Sequence, residues 1–69
     1  MKLSARNQLK GKVLKVTKGA VNSEVTLEIE GGARVTAIIT NGSAESLGLA
    51  EGVSAYAVIK ASNVMVAVD

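Results

Sequence analysis

The chain predicts an all-β fold, and three observations carry that prediction. Glu24-Val25-Thr26-Leu27-Glu28-Ile29-Glu30 alternates strictly, with Val25, Leu27 and Ile29 on one face and four polar residues on the other. That two-residue period belongs to a strand with one wet side. Glycines then punctuate β-branched runs at hairpin spacing, as at Gly31-Gly32 and Gly52, and no proline interrupts any run. Finally, 48% of the chain is hydrophobic with a single aromatic, Tyr56, so the core is built from small β-branched contacts.

Taken in order, residues of about 5–18 form a long first strand with Val13, Leu14 and Val16 at its core end. A strand of that length bends, and Gly11 is the expected place. The second strand is the Glu24–Glu30 alternation, closed by a tight turn at Gly31-Gly32. The third runs from Arg34 to Thr40, with Val35, Ala37 and Ile39 inward and Ile38 on the other face. Asn41 to Gly48 reads as a short helix, capped by Asn41 or Ser43 and ended by Gly48. Leu47 and Leu49 are expected to plug one end of a barrel. After a turn at Glu51-Gly52, Val53 to Lys60 forms the fourth strand, with Ala55, Ala57 and Ile59 on one face and Tyr56 and Val58 on the other. Beyond Asn63, Val64, Val66 and Val68 alternate as a fifth. Five strands with one short helix between the third and fourth give the element order of a five-stranded OB-type barrel.

A length of 69 residues bounds the chain to one domain, residues 1–69. A chain this short buries only about 60% of its unfolded surface when it folds alone. With no Cys and no His, neither disulfides nor the usual zinc sites can staple it. Oligomerisation is the remaining device, and the apolar residues opposite the main core pattern, Ile38, Tyr56, Val58, Met65 and Ala67, are expected between subunits.

The net charge is +2, but Lys2, Arg6, Lys10, Lys12, Lys15 and Lys18 all precede the first acid, Glu24. Such a run is either a solvated strand face or a field that concentrates anions. A single-strand nucleic-acid groove would interleave aromatic platforms, which one Tyr does not supply. No apolar run reaches the ~20 residues of a membrane helix, and Met1-Lys2-Leu3-Ser4 lacks a signal-peptide core, so a cytoplasmic location is the expectation. Without His or Cys, and with no nucleophile–base pair in view, no catalytic residue is assigned and the chain is not expected to be an enzyme.

The chemistry concentrates in donors. Ser4 and Arg6 are two residues apart, share one face of an extended segment and carry no neighbouring acid. Thr40 with Ser43, and Lys60 with Ser62, are of the same type. A set that only donates suits a fully ionised oxyanion, since Arg matches an oxyanion edge with a fork of donors.

Ser4-Ala5-Arg6-Asn7-Gln8-Leu9-Lys10-Gly11, the Glu28–Gly32 hairpin, Leu47-Gly48-Leu49 with Glu51-Gly52, and Ile59-Lys60-Ala61-Ser62 before Val64-Met65 together resemble the molbindins. These are small free-standing molybdate-binding proteins of the Mop domain, in the TOBE/Mop family. The resemblance spans essentially the whole chain. It implies reversible binding of molybdate or tungstate for storage, buffering or delivery, with no further cofactor and no direct side-chain coordination of a metal. It also implies a dimer exchanging N-terminal strands, assembled as a homo-hexamer, with the anion at subunit interfaces. Carried over by matching position, the oxyanion ligands are Ser4, Arg6, Thr40, Ser43 and Lys60, with Ser62 beside them and help from backbone amides near Ala5 and Ala61. A second anion site near the threefold axis is placed at Gly19, Val21, Asn22 and Ser23. The competing reading is an OB-type module that binds protein or nucleic acid and no small ligand; no membrane partner is expected.

Overall fold

The computed structural model describes all 69 residues. Four strands form one antiparallel sheet: β1 (Asn7–Lys18), β2 (Asn22–Ile29), β3 (Arg34–Thr40) and β4 (Ser54–Ile59), in the order β3-β2-β1-β4. A six-residue helix, α1 (Asn41–Ser46), lies between β3 and β4, and a single 3₁₀ turn, Ala61–Asn63, follows β4.

The length of β1 has a simple cause: it serves two neighbours. Its first half, from Asn7, pairs with β4, and its second half, through Lys18, pairs with β2. Gly11 and Lys12 pair on both sides, Gly11 with Ile29 and Ala55. A Cβ at Gly11 would run into the Glu28 carbonyl, so glycine here permits the close approach that curls the sheet. A separate irregularity lies at Leu14, where the register slips between Val13 and Lys15. A bulge there keeps both Val13 and Val16 pointing inward on either side of the extra residue.

Pairing stacks the inner residues in rows. Val35, Leu27 and Val13 form one row, and Ala37, Val25 and Val16 the next. Val13, Val25, Leu27, Ile29 and Ala57 make the buried cluster, with Leu49 packed against it. Leu47 takes no part in the plug: it is 67% exposed, because Gly48 at φ 64° turns the chain so that only Leu49 faces inward. Gly31 and Gly32, at φ 97° and 100°, make the turn expected of them.

Two further expectations are corrected. The helix is capped by neither Asn41 nor Ser43 but by Thr40, whose Oγ1 accepts the Ser43 N–H at 3.0 Å. The fifth strand is absent: residues 64–69 bond to no neighbouring strand and are all exposed, Met65 and Ala67 included. Val alternation specifies a strand-like segment, but a strand needs an edge, and the segment lies on none in its own chain. Apart from Gly11 and Lys12, the first half of β1 pairs with β4 alone and the second half with β2 alone, while residues 64–69 pair with no strand.

The surface is large for the mass. A compact monomer of 7.0 kDa exposes about 4,000 Å², whereas this chain exposes 5370 Å² and buries only eight residues. Ile38, Tyr56, Val58 and Met65 are all exposed in the single chain.

Candidate functional site

The N-terminal and C-terminal donor segments meet. Ser4, Ala5, Arg6, Lys60, Ala61 and Ser62 line one open depression, joined by Val58 and Asn63. The pairing of Asn7 with Ile59 brings the two segments together. Asn7 Nδ2 reinforces it by donating to the Ile59 carbonyl at 3.2 Å, and Gln8 Nε2 ties back to the Ala5 carbonyl at 2.9 Å. The 3₁₀ turn closes through Asn63 N–H to the Lys60 carbonyl and Val64 N–H to the Ala61 carbonyl. That leaves the N–H groups of Ala5, Ala61 and Ser62 without an acceptor in the chain. No carboxylate lines the depression, and neither Arg6 nor Lys60 has an acidic partner. Two cations and several unspent donors around an acid-free hollow suit an anion.

Thr40 and Ser43 stand elsewhere. Thr40 pairs with Asn22 and Lys18 with Ser23, so both hydroxyls sit near the far end of β1 from Arg6. At about 3.3 Å per residue, a straight strand of this length would span roughly 36 Å, and the molecule itself is 35 Å long. Neither Thr40 nor Ser43 lines the depression that Arg6 and Lys60 share. Thr40 Oγ1 also donates to Ser43 Oγ at 2.8 Å, which leaves the Ser43 hydroxyl proton for an outside acceptor.

The loop expected to supply a second site folds tightly between β1 and β2. Gly19 N–H donates to the Asn22 carbonyl at 2.8 Å. Gly19, Asn22 and Ser23 line a small depression with Thr17, Glu24 and Ile38, and Val21 projects from the loop into solvent. Ser23 is not placed as a ligand: its side chain is buried and its hydroxyl donates to Asn41 Oδ1 at 2.6 Å. The N–H groups of Ala20 and Val21 make no bond within the chain.

The lysines of β1 point to water, as expected. Lys12 lies opposite Glu28, which lies opposite Arg34, so charge alternates across three strands and no continuous basic face forms. Lys18 makes the chain's ion pair, with Glu45 at 3.8 Å, and both groups are exposed, so it adds little stability. Sequence reasoning missed Val58, Asn63 and Asn41. Asn63 adjoined the Lys60–Ser62 segment and was read as a strand interruption, and Asn41 as a cap; the partner across the fold gives each its place.

The TOBE domain model matches residues 3–66. Over 66 residues the chain is 58% identical to molybdenum-pterin-binding protein 3 of Clostridium pasteurianum, covering 96% of this chain and 97% of that one. Its fold superposes on MopII of Clostridium pasteurianum with a TM-score of 0.92 at 51% identity, covering 97% of this chain and all of the other. It is similarly close to the cytoplasmic molybdate-binding protein ModG, solved with molybdate bound, with a TM-score of 0.91 and 52% identity over 94% of this chain and 46% of that one. A model matched from Leu3 to Val66, and relatives matched end to end, identify the chain as a member of the TOBE domain family.

Proposed function

We propose that this chain is a single Mop-type domain that binds molybdate reversibly, with tungstate as an equivalent ligand, and serves as a cytoplasmic store, buffer or carrier rather than an enzyme. The observation that carries the reading is the acid-free hollow in which Ser4, Arg6 and Lys60 converge beside unspent backbone N–H groups. The relatives' described ligand and ModG's described location agree with it.

In this reading the site closes between subunits. Arg6 and Lys60 of one chain and Thr40 and Ser43 of another contact the same ion, because no single chain brings them together. The assembly is a homo-hexamer. Exposed area in excess of a compact monomer by over 1,000 Å² exceeds the ~800 Å² that one partner contributes to a standard interface, which favours more than one neighbour per chain. Residues 64–69 then act as the fifth strand by adding to an edge of another copy, completing the OB-type barrel.

The names of several relatives raise a second reading, a molybdenum–pterin conjugate as ligand. A pterin ring calls for a stacking surface, and the one aromatic, Tyr56, does not line the hollow. Free oxyanion is therefore the ligand proposed, and neither membrane nor nucleic acid is a partner. Calorimetric titration with molybdate, tungstate, sulfate and phosphate tests this. Molybdate and tungstate should bind alike without pterin. Sulfate should bind much more weakly because it is smaller, and phosphate because it keeps a proton that a donor-only site cannot accept. Equal binding of sulfate and molybdate would refute the site.

A further inference from the structure

The two cations of the hollow are held by a residue that does not line it. Arg6 and Lys60 carry like charge, and no carboxylate lines the hollow to balance them. Like charges repel, so an empty site tends to push its two walls apart. Residues 1–6 lie outside every strand and helix and make no backbone–backbone hydrogen bond. Gln8 Nε2 reaches the Ala5 carbonyl, but that bond stays within the N-terminal segment. Asn7 is different. It directly follows Arg6, and it is half-buried where Arg6 is exposed. Its Nδ2 crosses to the Ile59 carbonyl at 3.2 Å, the carbonyl that directly precedes Lys60. Because the peptide is planar, holding that carbonyl fixes the plane that leads into Lys60. The carbonyl of Lys60 itself accepts the Asn63 N–H at 2.9 Å, so the Lys60 backbone is held from both sides. Asn7 and Ile59 are also the end pair of the β1–β4 ladder, where a strand pair would otherwise fray. The clamp has to be a neutral donor. An aspartate here could not donate to Ile59, and its charge would pair with Arg6 or Lys60 in place of a ligand.

We propose that Asn7 is a positioning residue of the oxyanion site, acting through Arg6 and Lys60 and touching no ligand itself. Its amide holds the two cation-bearing segments together against their repulsion before the ion arrives, so less binding energy is spent on ordering them. The proposal rests on the molybdate reading above.

The test is a double-mutant cycle read by calorimetric titration with molybdate, with sedimentation to follow the assembly. Asn7→Ala removes one neutral hydrogen bond and should weaken binding by roughly three- to tenfold with the assembly intact. In the Arg6→Ala background the same change should cost about twofold or less, since one of the two groups it positions is already gone. A residue that merely supports the fold would cost the same factor in both backgrounds. Asn7→Asp keeps the shape of the side chain, loses the donor and adds a competing charge, so it should bind at least as weakly as Asn7→Ala; it also decides the matter if Asn7→Ala fails to assemble. The proposal is overturned if Asn7→Ala binds like wild type, if its loss is as large beside Arg6→Ala as alone, if Asn7→Asp binds more tightly than Asn7→Ala, or if both variants fall out of the assembly. A wild type that binds no molybdate would instead defeat the functional reading itself, and an Arg6→Ala variant that binds like wild type would defeat the hollow as the site.

Discussion

Replacing Arg6 with alanine separates ligand binding from folding more cleanly than any other single change. Arg6 is exposed and forms no ion pair with any acid of the chain. Its removal therefore breaks nothing that holds the sheet together, and surface changes of this sort stay within about 0.5 kcal/mol. The ligand loses much more. A dianion taken from water needs compensating charge, and one hydrogen bond from a charged donor is worth about 1.5–3 kcal/mol. At about 1.4 kcal/mol per tenfold, Arg6→Ala should weaken molybdate binding by roughly ten- to a hundredfold or more. Lys60→Ala should follow with a smaller loss, because an ammonium offers a point charge where guanidinium offers a fork. Lys12→Ala is the control: Lys12 lies outside the hollow, opposite Glu28. Calorimetric titration of the three variants, alongside sedimentation to show that the assembly persists, gives the comparison. Equal molybdate affinity in Arg6→Ala and Lys12→Ala would refute the assignment of the hollow as the site.

Other outcomes follow from the same geometry. Gly11→Ala should lower the melting temperature sharply, because the added Cβ meets the Glu28 backbone and cannot be relieved by a rotamer change, whereas Gly42→Ala, with open space around it, should not; equal melting of the two would count against the close approach. Val66→Asp tests the tail. Val66 is 89% exposed in the single chain, so the change should be harmless to a monomer yet should shift the sedimenting species to smaller size if residues 64–69 pair with another copy, and an unchanged assembly would exclude that pairing. Thr40→Ala should remove about 1 kcal/mol of helix capping and also weaken molybdate at the interface site; a loss of thermal stability with full binding would make Thr40 a cap alone.

Much of the fold was legible because it depends on local period. Val25, Leu27 and Ile29 alternate with charged residues, and an alternation has one strand reading wherever it is placed. Gly31-Gly32, Gly48 and Gly52 mark turns because left-handed backbone is open to glycine at little cost. The donor types were equally plain, since Arg6 and Lys60 carry their chemistry in any fold. What the tertiary structure decided was pairing. Thr40, Asn41 and Ser43 are all competent caps by residue type, and only the end of β3 selects Thr40, which frees Asn41 to reach across to Ser23 and Gly19. The register slips at Leu14 while the close backbone approach falls at Gly11, because the partner strand sets where an extra residue is accommodated and where a backbone comes close. The alternation of Val64, Val66 and Val68 specifies a face but supplies no edge, and the edge is absent from the chain's own sheet. Most consequentially, sequence chemistry grouped Arg6, Thr40 and Lys60 as one site, while the 12 residues of β1 hold Thr40 near one end and the other two at the opposite end. Residue types state what a site can bind; the distances between them exist only once long-range pairing has been chosen.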